Sequence, residues 1–461
     1  MLREGAPTRK ARIYAQFSPR AFVVEACIPQ LYIARGFMRH NRASAAVFRF
    51  SSCAVRVLLM TLLPLLVSLL LPPGVLAGGS AERHSAAVLV GIDVLEERRF
   101  EGLNGKRVGL ITNQTGVDSR GRRTIDVLAN APGVKLLALF SPEHGIAGNS
   151  QDAIIADSTD KTTGLRIYSL YGKTQRPTDR MLKGIDVLVF DIQDAGVRFY
   201  TYLTTMAYCL EEAAKHRIKF VVLDRPNPLV GEVIEGPMLD PGRLSFTGYF
   251  PMPARHGMTI CELARMFNVE NRIGAELEIF PLRNWNRAEG YDQTGLAWIA
   301  PSPNLRTANE AVLYPGIELL QAGGVSVGRG TDTPFEILGA PWIRSDEFAA
   351  ELNQRKIPGV GFEPLQFTPK EDLYQGKACG GVKVGVSDRR SFRSTRLALE
   401  IADALHRMYE QFQLEKIVVL LGSQSTIDRL KRGDAPVDII AGWSVELDKF
   451  RWMREKYLLY R

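Results

Sequence analysis

The stretch Val134-Lys135-Leu136-Leu137-Ala138-Leu139-Phe140-Ser141-Pro142-Glu143-His144-Gly145 decides how this chain is read. It opens as an apolar run of strand length and closes on a proline, a carboxylate, an imidazole and a glycine. A short run of this kind, apolar on both alternating faces, predicts a strand buried inside a parallel sheet. Open α/β sheets hold their ligands just beyond the carboxyl ends of their strands, and Glu143 and His144 stand there. Pro142 stiffens the turn, and Gly145 lets the backbone leave it or approach a ligand closely. A Glu capping the next helix and a His bonding within its own loop would leave the same trace. What separates the two readings is whether the arrangement recurs.

It recurs three times. Arg107–Thr112, Val187–Phe190 and Phe220–Leu223 are further buried-strand patterns, and amphipathic stretches such as Thr124–Asn130 and Thr204–His216 fit between them as helices. Short apolar runs alternating with helical patterns predict a doubly wound α/β sheet. The strands end in Asn113-Gln114-Thr115-Gly116, in Asp191-Ile192-Gln193-Asp194-Ala195-Gly196, and in Asp224-Arg225-Pro226-Asn227-Pro228. Right-handed crossovers bring these ends to one edge of the sheet. A single Asp at a strand end is usually a helix cap, but Asn113, Glu143, Asp191, Asp194 and Asp224 together make a carboxylate-lined rim that favours a site.

The net charge of +8 is misleading. Residues 1–77 hold ten Lys and Arg against two acids, leaving 48 basic and 48 acidic side chains in residues 78–461. The basic excess therefore lies in one N-terminal segment rather than on a folded face, which argues against a nucleic-acid partner. That segment runs into Val57–Leu71, about fifteen residues of mostly apolar chain, short for a bilayer span and suited to a signal h-region. Pro72-Pro73-Gly74 breaks it, and Val75-Leu76-Ala77 offers small residues for cleavage after Ala77. The expectation is an exported protein, periplasmic or secreted, touching the membrane only through the leader if that is left uncleaved. Internal starts at Met38 or Met60 would shorten the leader. The five cysteines show no close pairing and the six histidines no ligand spacing, so neither a disulfide framework nor a metal site is expected.

Further along, Arg255-His256-Gly257-Met258-Thr259 leads into a helix with Thr259 as N-cap and Glu262 closing a capping box. His256 there is either a loop contact or a site residue. Pro301-Ser302-Pro303-Asn304-Leu305 and Gly328-Arg329-Gly330-Thr331-Asp332 are loops that pair permissive backbone with polar groups. The second lacks the Lys and spacing of a P-loop, and no GxGxxG follows the first strand, so no nucleotide cofactor is expected. From about residue 345 the composition changes. Ser345–Gln354 and Ser394–Gln411 read as helices flanking a strand at Gly381–Val386, and the aromatic tail with Trp443, Phe450, Trp452, Tyr457 and Tyr460 reads as core packing.

The ordered motifs ITNQTG, SPEHG, FDIQDAGVRFYTY, LDRPNP, ARHGMT, PSPNL, YPG, SVGRGTDTPFE, LGAPW, CGGV and the terminal YLLY, over about residues 90–461, resemble the NamZ-type exo-β-N-acetylmuramidase family. The resemblance implies a Rossmann-like parallel-sheet catalytic domain over 86–295 and a smaller α/β auxiliary domain over 296–461, with a cleft between them. It also implies a glycoside hydrolase that releases N-acetylmuramic acid from non-reducing ends of peptidoglycan fragments, without a cofactor. By motif, Glu143 would be the catalytic acid. Asp191, Asp194 and Asp224 are candidates for a second carboxylate, and Asn113, Gln114, His144, Arg198, Tyr200 and Asn227 would shape the cleft. His256, Asn304 and Arg329 join them as substrate-binding candidates. One segment departs: where the family pattern often carries an acid followed by Gly-Thr-Asn, this chain has Gln321-Ala322-Gly323-Gly324.

The chemistry of the residues agrees in outline. Glycoside hydrolysis needs one group to protonate the leaving oxygen and another to stabilise or attack the anomeric carbon, unless the sugar's own acetamide serves. A guanidinium such as Arg198 or Arg329 suits the lactyl carboxylate of muramic acid. The alternative is an exported muropeptide- or sugar-binding protein that recognises without cleaving.

Overall fold

A computed structural model of the protein describes residues 87–460. The basic leader, its apolar run and the site at Val75-Leu76-Ala77 lie outside the described residues. The N-terminal half alternates α1 (Gly91–Glu97), β1 (Arg107–Thr112), α2 (Thr124–Ala129), β2 (Lys135–Ser141), the short β3 (Ser158–Thr159), β4 (Arg166–Ser169), α3 (Asp179–Leu182), β5 (Val187–Asp191), α4 (Thr201–His216) and β6 (Lys219–Leu223). Then come β7 (Glu235–Met238) and β8 (Pro253–Arg255), an antiparallel pair of their own, followed by α5 (Ile260–Glu270) and β9 (Leu277–Phe280).

Seven strands make one sheet in the order β3-β4-β2-β1-β5-β6-β9. All neighbours are parallel except β3, which runs against β4 at the edge. From β1 the chain steps outward to β2 and β4, then returns to β5 on the other side. The order therefore reverses between β1 and β5, the kind of switch point at which doubly wound sheets open a crevice.

The period-two alternation of the buried strands divides the core. Val108, Leu110, Val189, Val221 and Leu223 face α1 and α2, whereas Ile111, Leu188, Phe190, Phe220 and Val222 face α4 and α5. β5 is buried at every position, which is why its first four residues, Val187–Phe190, are continuously apolar rather than alternating. Cutting fully buried Phe190 back to Ala would cost about 3–5 kcal/mol.

The C-terminal half is built from α6 (Ala308–Gln321), β10 (Ile337–Ala340), α7 (Ser345–Gln354), β11 (Val360–Phe367), β12 (Cys379–Val386), α8 (Ser394–Met408) and four further helices, α9 (Val418–Leu421), α10 (Gln424–Lys431), α11 (Pro436–Ala441) and α12 (Ser444–Glu455). Its sheet is antiparallel, in the order β10-β12-β11. The core on the α4/α5 face continues without interruption into Leu313, Ile317, Leu397 and Ile401 of α6 and α8. Gly316 makes that junction possible, since a Cβ there would stand 2.1 Å from the Ser394 carbonyl oxygen.

The expected strands and helices are present with ends moved by a few residues. The outer strands β3 and β9 and the short β4, together with β11 and α6, carry no clear periodic signature in the sequence. The aromatic tail is mostly core: Phe450 is fully buried and Trp443 and Tyr457 nearly so. Trp452 is the exception, 72 % exposed with Lys456 stacked over its ring.

Candidate active site

Glu143 stands two residues past the end of β2 and lines a cleft of about 170 Å³. The other walls are His144, Phe199, Tyr200, Thr201, Thr247 and Ser302 from the first part of the chain, and Tyr314, Glu318, Arg329, Phe335 and Leu420 from the second. The cleft therefore stands where the β2 end meets α6 and the loop before β10.

Three local features hold Glu143 in place. Thr201, the first residue of α4, donates its hydroxyl to Oε2 at 2.5 Å. Tyr171 packs beside it, its phenol pushed up to about 12 by burial and by the Glu143 carboxylate. His144 takes a left-handed backbone with φ of 68°, a conformation that costs a non-glycine residue on the order of 1–3 kcal/mol. That kink turns the chain back so that His144 Nδ1 lies 2.7 Å from the Ser150 carbonyl oxygen. A carbonyl oxygen can only accept, so Nδ1 carries the proton in this contact. Phe335, also in the wall, shares the left-handed backbone with φ of 63°.

On the facing wall, Arg329 donates from NH2 to Glu318 Oε1 at 2.7 Å, and Asp372 Oδ2 lies 3.9 Å from its Nε. Glu318 Oε2 and Arg329 Nε have no hydrogen-bond partner. Burial pushes the Glu318 carboxyl up, and Arg329 opposes that shift. Tyr200 and Tyr314, both in the wall, meet edge to face with ring centroids 6.0 Å apart, and the Tyr200 hydroxyl is buried without a partner.

Of the residues marked by sequence, the structure brings Glu143, His144, Tyr200 and Arg329 together in this cleft. The others stand elsewhere, and several have partners that account for them. Asp191 is not a free rim carboxylate: Arg225 grips it with Nε at 2.6 Å and NH2 at 2.9 Å, and Thr124 donates from the other side. Asp224 accepts from the Thr259 hydroxyl at 2.8 Å, the Cys261 amide at 3.0 Å and the Tyr460 phenol, so it ties α5 and the C-terminal tail to β6. Burial pushes it up to about 7. Asp194 is fully enclosed beyond β5, accepts from the Gly196 amide at 2.7 Å, and is likewise pushed up to about 7 by burial.

Arg198 is a correction to the expectation of a carboxylate receptor. It is wholly buried and donates to the carbonyls of Pro237, Met252, Leu420 and Leu421, with every measured bond between 2.7 and 3.1 Å. Asn227 is also a structural bracket, donating to Met258 O and accepting from Leu229 N. His256 is the buried loop contact rather than a cleft residue. Its Nδ1 accepts from Met258 N at 3.1 Å, its Nε2 lies 3.8 Å from Asp194, and burial pushes its imidazole down to about 3. Asn113 folds its Oδ1 onto Thr115, and Gln114 donates to Ala300 O at 2.7 Å. Asn304 reaches Gln151 at 3.2 Å, fastening the loop that follows His144.

Thr201, Ser302, Tyr314, Glu318 and Phe335 were not marked by sequence. One signal was present for two of them. Thr307 and Glu310 form a capping box that starts α6, and a helix begun there carries Tyr314 and Glu318 on one face, four residues apart. Gln321, one turn further, donates instead to Asp372 and is absent from the cleft wall.

Residues 108–309 match the family described as exo-beta-N-acetylmuramidase NamZ, N-terminal, and residues 312–460 its C-terminal counterpart. The chain is 43% identical over 378 residues to the peptidoglycan beta-N-acetylmuramidase NamZ of Bacillus subtilis (strain 168), covering 81% of this chain and 91% of that one. Two solved DUF1343 family proteins from Bacteroides fragilis share the fold. One has a TM-score of 0.76 at 37% identity and the other 0.69 at 31%; they cover 81% and 82% of this chain and 99% of each of theirs. With both halves of the family pattern spanning nearly all the described residues around a shared cleft, the chain belongs to the NamZ exo-β-N-acetylmuramidase family.

Proposed function

We propose that this protein is an exo-acting glycosidase that removes N-acetylmuramic acid from the non-reducing ends of peptidoglycan fragments, with Glu143 as proton donor in the cleft. The observation that carries the reading is the placement of Glu143. It is a half-buried carboxylate just past the carboxyl end of β2, held by Thr201 and lining one cleft with a second carboxylate and a guanidinium. Glycosidases protonate the leaving oxygen from such a group. Arg329 is the one guanidinium among the described residues lining the cleft, and it spends only part of its donor fork on Glu318. The lactyl carboxylate that distinguishes muramic acid from glucosamine pairs with the remainder.

The test is turnover of a chromogenic β-N-acetylmuraminide beside the matching N-acetylglucosaminide. Release from the muraminide alone is expected, and equal or reversed rates would refute the assignment. The leader supports export, periplasmic or secreted, with a mature chain beginning near Gly78. N-terminal sequencing of protein recovered outside the cytoplasm checks this, and recovery of the intact leader in the cytosol would refute it.

A further inference from the structure

A glycosidase that uses an acid and a water-activating base needs two carboxylates flanking the bond, and the rim that the strand ends promised does not supply the second. Asp191 is spent on Arg225 and Asp224 on three donors, and Asp194, buried with one oxygen on the Gly196 amide, is not among the residues lining the cleft. Among the described residues lining the cleft, the carboxylates are Glu143 and Glu318. We propose that Glu318 is the base of the hydrolysis, taking a proton from the water that attacks the anomeric carbon; the inference rests on the muramidase reading of this cleft.

Glu318 comes from the C-terminal half, on α6, one turn beyond Tyr314, and lines the same cleft as Glu143. Arg329 fastens its Oε1 and so fixes the direction of Oε2, which is buried and has no donor from the protein. A buried unpartnered acceptor is costly to keep, on the order of 1–3 kcal/mol. A donor that arrives with the substrate relieves that cost, and an attacking water brings one.

The step balances as follows. Glu143 passes its proton to the glycosidic oxygen, which leaves with both electrons of the broken bond to C1. The water oxygen supplies the electron pair for the new bond to C1 and gives one proton to Glu318. One water is consumed per bond, and proton exchange with solvent returns Glu143 and Glu318 to their starting states. Because water attacks from the face opposite the leaving group, the first-formed sugar is the α-anomer. Arg329 is the positioning residue of this arrangement.

The experiment compares the parent with Glu318→Gln, Glu318→Ala and Glu143→Gln on an aryl β-N-acetylmuraminide and on the natural β-linked disaccharide, with thermal melts confirming folding. Loss of the base is expected to lower kcat by about two to four orders of magnitude on both substrates. Azide, which needs no proton removed, restores turnover of Glu318→Ala and yields the α-glycosyl azide. Glu143→Gln is relieved instead by the aryl leaving group. Proton NMR of the parent reaction shows the α-anomer first. A folded Glu318→Gln with parental kcat, an effect confined to KM, no azide product, or a β-anomer appearing first would each overturn the proposal. A parent inert on the muraminide would overturn the activity itself and this inference with it, an outcome distinct from an active parent with an indifferent Glu318.

Discussion

Replacing Arg198 with Lys separates a scaffold role from a substrate role. The guanidinium donates to four buried carbonyls, of Pro237, Met252, Leu420 and Leu421, and so staples the segments around β7 and β8 to α9 in the C-terminal half. An ammonium has three N–H bonds on one point and cannot meet four oxygens spread across a planar fork. At least one carbonyl is then left unpaired at about 1–3 kcal/mol. Lys is also the more strongly hydrated ion, in a site that already pushes Arg198 down to about 10 by burial. A loss of about 2–4 kcal/mol follows. Unfolding entropy of roughly 2.1 cal/mol/K per residue, over the described chain, is about 0.8 kcal/mol/K, so Tm falls by about 3–5 °C. The assay is a calorimetric melt paired with kinetics on the chromogenic muraminide at 20 °C, well below the transition. Tm should fall while kcat/KM stays within about threefold of the parent, less than the roughly 0.7 kcal/mol that a lost substrate contact exceeds. A hundredfold loss of kcat/KM with an unchanged melt would refute the scaffold assignment and return Arg198 to the substrate.

Glu143→Gln keeps the shape and the bond from Thr201 but removes the transferable proton, so turnover of the natural disaccharide should fall by about two to four orders of magnitude. Binding of the released sugar, read by calorimetry, should change little, and parental turnover would move the acid elsewhere. Arg329→Gln removes the cation from the cleft, and the muraminide-to-glucosaminide rate ratio should fall about 10- to 100-fold, the worth of one charged hydrogen bond; an unchanged ratio counts against the lactyl contact. Asp194 titrates near 7 in the folded protein and near 4 when unfolded, so across that window the folded form holds a proton the unfolded chain has released. Stability therefore declines as pH rises from about 4 to about 7 and levels off above. Asp194→Asn should flatten that decline in urea midpoints measured across the window, and an equal slope in the two proteins would disprove the linkage.

Much of the sheet was legible in the sequence because its causes are local. A strand buried on both faces reads as a near-continuous apolar run, and β1, β2, β5 and β6 each carry one between polar ends. Glu143 was equally legible, because a strand, a proline and a glycine place it at a sheet edge without reference to anything distant. The short strands β4 and β9 left no such trace, being only partly covered.

What the residues at the other strand ends do was settled by partners far along the chain. Asp224 is claimed by Tyr460, 236 residues later, and Arg198 by Leu420 and Leu421, more than 220 residues later. No spacing or periodicity encodes such pairings, so a carboxylate spent on scaffolding and one free to react look alike in sequence. The same physics hid Glu318, which sits in an apolar helical run and becomes a cleft residue only when α6, pressed against α8 through Gly316, closes over the end of β2. Local chemistry thus determined the sheet and one wall of the cleft, and long-range packing decided which charges remain free to face each other across it.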